Sequence, residues 1–234
     1  MIQPRSVTAS EILTLSNNFI VPKFQRDYSW KKSEASEFLG DLQSEAARGL
    51  FLGTLIFDVS DENNKRITII DGQQRLTTIL LLLIACRERA KAIGAKEIAN
   101  MTQQRITFVN AATGQSLGPL LIASESIKDV FDHVSSYSWD GTFLPRIDGK
   151  PVKRQVNRVK PVFDLFSHAI SGHDQGLLSA LLDAIYKVRV IRIDVEGEEE
   201  AFSIFERTNA RGVRLRGFGS SEELFLSTGS NGTR

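Results

Sequence analysis

Cysteine is nearly absent from this chain: Cys86 is the only one in 234 residues. That excludes an internal disulfide and any cluster of thiolate metal ligands, and it fits a reducing cytoplasm. Excess charge is missing too. The 29 Lys and Arg against 28 Asp and Glu leave a net +1, so contact with nucleic acid has to come from local patches. No apolar run is long enough to cross a bilayer; Ile79 to Cys86 is bounded by charges and reads as a buried helix. Met1-Ile2-Gln3-Pro4-Arg5 lacks the apolar core of a signal peptide, so a cytoplasmic protein with no membrane attachment is expected. The three histidines, His133, His168 and His173, form no His-Asn-His-type nuclease motif.

What the chain does have centres on Ile69-Ile70-Asp71-Gly72-Gln73-Gln74-Arg75-Leu76-Thr77-Thr78. This stretch joins a β-type run, Arg66 to Ile70, to the most apolar helix pattern in the sequence. Asp71 is expected as the helix N-cap, with Gly72 relieving the turn. Gln73, Gln74 and Arg75 then fill the first helical turn, where free N–H groups and the positive dipole end favour an anion. An acid, two amides and a guanidinium on one strand-to-helix turn suit a phosphate site better than a core.

Upstream, Thr8-Ala9-Ser10-Glu11 is a capping-box pattern for a short helix. Phe19–Val21 is a brief strand candidate ended by Pro22. In the segment that follows, Arg26 can fork onto phosphate and Gln25 can pair with a base edge. Tyr28 and Trp30 offer stacking faces, though as aromatics they fit a core at least as well. Ser33 to Arg48 is an amphipathic helix, and Phe51–Asp58 a strand that makes a hairpin with Arg66–Ile70.

From Gly94 to Lys187 the pattern is weaker and mainly helical. Arg105 to Val109 alternates like a strand, and Tyr137 to Val152 reads as an exposed loop. The glycines of Ala112 to Pro119 are not followed by Gly-Lys-Ser/Thr and make no P-loop. Lys153, Arg154 and Arg158 belong to a basic stretch running from Arg146 to Lys160. A solvated helix face and contact with DNA phosphate account for it equally. Gln175 to Tyr186 is a further amphipathic helix, and Val188–Val195 alternates as a returning strand.

Asp71 to Thr78 resembles the signature of the GmrSD-type restriction endonuclease N-terminal domain family, a branch of the ParB/sulfiredoxin-like fold. Pro22 to Trp30 resembles that family's first motif, followed by Phe51 to Ile56, and Ala201 to Gly212 resembles its last. Three blocks in the expected order span residues 8 to 215.

The resemblance implies an α+β fold with a small mixed sheet built from Phe19–Val21, Phe51–Asp58, Arg66–Ile70 and Val188–Val195. It divides the chain into a core over 1–93, a mainly helical insertion over 94–187, and a returning strand and helix over 188–215. Residues 216–234 are expected to be a disordered or aberrant tail: the family continues with an Asp-Leu-x-Lys-Asn helix, where this chain has Gly217 to Glu223. In function it implies a nucleotide-binding, NTP-hydrolysing sensor in defence against foreign or modified DNA, working with a nuclease domain or subunit of His-Asn-His type. Asp71 would hold Mg2+ or orient water, Gln73 and Gln74 would orient water or the nucleotide, and Arg75 would neutralise phosphate. Gln25, Arg26, Glu206, Asn209 and Arg211 would complete the nucleotide site. The alternative is a non-enzymatic DNA-binding module, with the same turn on phosphate and Gln25, Tyr28 and Trp30 reading a base. A sulfiredoxin-type reductase is set aside, because Cys86 lies among leucines.

Overall fold

A computed structural model describes residues 4–14, 17–110, 113–139, 146–147, 150–151, 153–197, 200 and 203. In chain order the elements are β1 (Arg5–Thr8), α1 (Ala9–Leu13), β2 (Asn18–Ile20), α2 (Lys32–Ser44), β3 (Phe51–Asp58), β4 (Arg66–Asp71), α3 (Gln73–Ala92), α4 (Lys96–Ile106), β5 (Thr107–Val109), β6 (Ser116–Pro119), β7 (Leu121–Ile122), α5 (Lys128–Ser136), β8 (Arg146–Ile147), β9 (Lys150–Pro151), α6 (Lys153–Ala169), α7 (Gln175–Tyr186) and β10 (Arg189–Val195).

The class is α+β, as expected, and the main sheet is mixed. Its six strands run β1-β10-β3-β4-β2-β7. The four strands read from the sequence are the four inner ones, and the two that were not read, β1 and β7, form the edges. β3 and β4 pair antiparallel, whereas β10 lies parallel to β3 and β2 parallel to β4. The period-2 alternation then sorts side chains between the two faces. Phe57, Ile67 and Ile69 enter the main core, while Ile56 and Ile70 join Ile193 and Val195 in a smaller cluster.

Helix α3 is the centre of the core. Leu76 to Cys86 are all buried, so this helix has no solvent face over three turns. Arg87 follows them, fully buried, and its guanidinium donates to the carbonyls of Val134, Ser135 and Tyr137 at 2.7–2.9 Å. It thereby satisfies the open C-terminal carbonyls of α5 and ties α3 to the segment beyond Gly94. That segment also contributes β7 to the main sheet beside β2, and its buried residues belong to the same core cluster.

Three local expectations are corrected. Arg105 and Ile106 end α4, and only Thr107–Val109 is strand. Ala99, Thr102 and Ile106 line the buried face of α4 at helical spacing, which overrides the short alternation. Tyr137 to Val152 is not simply an exposed loop: Trp139 is buried against Phe163 with ring centroids 4.7 Å apart, and β8 pairs with β9. Finally, Asp71 is the last residue of β4, paired with Ile56, and Gly72 is the N-cap of α3. The capping box at Thr8 and Glu11 forms as read.

Candidate functional site

The site is built where β4 turns into α3. Gly72 sits at φ +95°, a left-handed conformation that L side chains rarely adopt, and a Cβ there would collide with Leu55 and crowd the Thr54 carbonyl. Because Gly72 carries no side chain, α3 begins without a side-chain cap. Asp71 and Arg75 flank the turn, both partly exposed. The Arg75 guanidinium donates to the Thr54 carbonyl and stands 3.8 Å from the Asp71 carboxylate.

The segment after β2 lies over this turn. A tight turn returns the Gln25 N–H to the Pro22 carbonyl at 3.0 Å. The Gln25 amide then bridges two elements: Nε2 donates to the Ile70 carbonyl and Oε1 accepts from Gln73 Nε2 at 3.4 Å. Gln73 also donates to the Arg26 carbonyl. Gln74, only 4% exposed, donates to the Asp27 carbonyl at 3.0 Å and accepts from the Ser29 N–H at 2.8 Å. Tyr28 is buried, its hydroxyl 2.8 Å from Thr78 Oγ1; burial raises its pKa despite that hydrogen bond.

The structure therefore gathers Gln25, Arg26, Asp71, Gln73, Gln74 and Arg75 around one strand-to-helix turn. Their roles differ from the expectation in one respect. Both ends of the Gln74 amide are bonded to loop backbone, so it fastens the loop and does not orient water. Arg26 is exposed, and its guanidinium has no partner among the described residues. Burial draws the Arg75 pKa below its ordinary value; Asp71 opposes that shift, and the nearby charge of Arg26 adds to it. Arg75 thus has Asp71 as its paired carboxylate and Arg26 as a like charge nearby.

Other residues fall elsewhere. Tyr28 offers no stacking face, and Trp30 is half-buried against Phe38, so both are packing aromatics. Arg158 is bound internally, 2.8 Å from Asp27, and donates to the Tyr28 carbonyl at 3.3 Å. Lys153 and Arg154 stand exposed at the start of α6. Glu206, Asn209 and Arg211 lie outside the described residues. Among the described residues no group of three His, Cys, Asp or Glu side chains converges as a metal site, and no helix is long and apolar enough to cross a membrane.

Sequence reading gave Thr54 no role and weighed Asp27, with Asp41, only as an ion-pair partner for Arg26, whereas Asp27 pairs with Arg158. Thr54 acts through its carbonyl, which no side-chain pattern reveals. For the loop there was a signal: Gln74 and Thr78 are four residues apart, so they share one face at the start of a helix that turns apolar from Ile79 to Cys86. No curated protein matches the chain. A family model described as the GmrSD restriction endonuclease, N-terminal domain, matches residues 9–219, a span that includes this turn and the loop over it. The chain belongs to the GmrSD restriction endonuclease N-terminal domain family, and through it to a restriction system of phage defence.

Proposed function

We propose that this domain binds a nucleoside triphosphate at the Asp71–Arg75 turn and hydrolyses it with magnesium, as a sensor in modification-dependent restriction. One observation carries the reading: Arg75, held by the Thr54 carbonyl and 3.8 Å from the partly exposed Asp71 carboxylate, stands at the N-terminus of a buried helix that has no side-chain cap, with the exposed Arg26 near enough for its charge to be felt. A helix N-terminus without a cap, with arginines beside it, favours an anion, and arginine binds phosphate in a fork.

Each residue then has a part. Arg75 is held by the Thr54 carbonyl and meets phosphate charge from a fixed position. Arg26, exposed and unpartnered among the described residues, closes on the phosphates from the loop. Asp71, partly exposed at the strand end, would hold Mg2+ together with phosphate oxygens. One carboxylate suffices for that, since magnesium is commonly bound by one or two carboxylates plus substrate phosphates and water. The metal would neutralise phosphate charge when bound. Glu206, Asn209 and Arg211, in the family's last motif, would complete the pocket.

DNA and a His-Asn-His-type nuclease domain or subunit are the partners that family membership suggests. Exposed Lys153 and Arg154 favour DNA contact through α6, and they keep the non-enzymatic DNA-binding module as a second reading. A titration of nucleoside triphosphates with and without magnesium, with phosphate release measured in parallel, separates the two. Saturable binding and turnover are expected. If the chain binds neither nucleotide nor inorganic tripolyphosphate but does bind DNA, the second reading replaces the first.

A further inference from the structure

Three successive carbonyls of the loop, those of Arg26, Asp27 and Tyr28, accept from side chains of Gln73, Gln74 and Arg158 respectively. The first two donors are buried on α3 beside the site. The third comes from α6, 130 residues away from Tyr28 in sequence, and it also forms the ion pair with Asp27 at 2.8 Å. Asp27 is the immediate neighbour of Arg26. Without Arg158, the Asp27 carboxylate would lose the cation it is bound to, and Arg26 would be the adjacent one on the chain. An Arg26 drawn onto Asp27 is no longer free for a phosphate.

We propose that Arg158 is a positioning residue for the phosphate cleft: by occupying the Asp27 carboxylate it leaves the Arg26 guanidinium free to bind anion. The proposal rests on the phosphate reading of the Asp71 turn. It assigns the basic stretch on α6 two different tasks. Lys153 and Arg154 are exposed, whereas Arg158 pairs with the Asp27 carboxylate of the loop. The segment beyond Gly94 then acts directly on the site, through one side chain.

The test is calorimetric titration of inorganic tripolyphosphate, and of a nucleoside triphosphate, into the full chain. Arg158→Met should weaken both by roughly 10-fold or more, as for loss of an interaction with a charged group. Asp27→Asn in the same background should restore most of the affinity, because the liberated carboxylate is what harms binding. A merely structural role for Arg158 would lower the melting temperature and affinity together and restore them together, whereas the positioning role lowers tripolyphosphate affinity with the melting temperature little changed. In an Arg26→Ala background, Arg158→Met should have no further effect. Should Arg158→Met fail to fold, Asp27→Asn alone decides: it should bind tripolyphosphate at least as tightly as the wild type, and weaker binding overturns the proposal. Unchanged affinity in Arg158→Met, or no rescue, also overturns it while leaving the phosphate site intact. A wild-type chain that binds neither probe removes the phosphate reading itself, and the proposal falls with it.

Discussion

The Arg75 guanidinium stands 3.8 Å from the Asp71 carboxylate, an ion pair between a strand end and the first turn of the next helix and too long for a hydrogen bond. The Asp71 oxygens are therefore not consumed by Arg75, and Arg75 spends a donor on the Thr54 carbonyl instead. Since Gly72 and not Asp71 is the N-cap, the carboxylate is not needed to begin α3. Asp71→Ala should accordingly change stability by less than about 1 kcal/mol, the range of partly exposed ion pairs. Nucleotide turnover should fall by roughly 10²–10³-fold if the group stabilises charge at the reaction centre. Thermal unfolding and phosphate release on the same preparation check both; normal turnover in the variant would leave Asp71 without a chemical role.

Gly72→Ala should be far more damaging than Asp71→Ala. An alanine here bears the strain of the left-handed conformation, about 1–2 kcal/mol, and its Cβ meets Leu55 and the Thr54 carbonyl besides. Chemical denaturation should show a loss of about 2 kcal/mol or more. A loss below 0.5 kcal/mol would mean that the turn relaxes freely.

Gln74→Leu should loosen the loop before it unfolds the protein. The side chain meets both the Asp27 carbonyl and the Ser29 N–H, and stranding those two groups costs about 1–3 kcal/mol. Amide exchange should accelerate at Ser29 while the leucine run of α3 stays protected. Equal acceleration in both places would show that Gln74 supports the core and not the loop.

The capping box makes a pH-dependent contribution. The Glu11 pKa is lowered, chiefly by the hydrogen bond from the Thr8 N–H and next by the Thr8 hydroxyl. A carboxylate whose folded value lies below its unfolded one stabilises above the unfolded pKa, and that stabilisation is lost as pH falls through the folded value. The stability gap between the wild type and Glu11→Gln should thus be present at pH 7 and shrink as pH falls below the ordinary glutamate value of 4.5. A gap that persists undiminished to pH 2 would contradict the assignment.

Cys86 should behave as a reporter of unfolding. It is fully buried, and desolvation raises its thiol pKa to about 12, so almost no thiolate exists at neutral pH. Ellman's reagent should label it only at the rate at which the core opens, and denaturant should speed labelling in step with loss of helix signal. Rapid labelling of the native protein would require a second, local route to the core.

Much of this molecule was legible in the amino-acid order because it rests on local periodicity. The four inner strands, the buried helix of Leu76 to Cys86, the α7 pattern and the Thr8–Glu11 box each follow from spacings of 2 or 3.6, or from one cap. The edge strands β1 and β7, of four and two residues, were not, since so few residues carry no period. The identity of the helix cap was likewise hidden. Aspartate is the better cap by preference, but the β4–β3 pairing extends through Asp71 and leaves the turn to Gly72.

The candidate site divides in the same way. Sequence by itself determined that acid, amides and guanidinium would sit on one strand-to-helix turn, because they are consecutive. Only the tertiary structure decided what each could do. It buried Tyr28 on Thr78, spent the Gln74 amide on the loop, and brought Arg158 onto Asp27 across 131 residues (158 − 27). Such pairings are set by how α3 and α6 pack against the loop after β2. Packing is a property of whole faces meeting in space, and no local window of residues contains it.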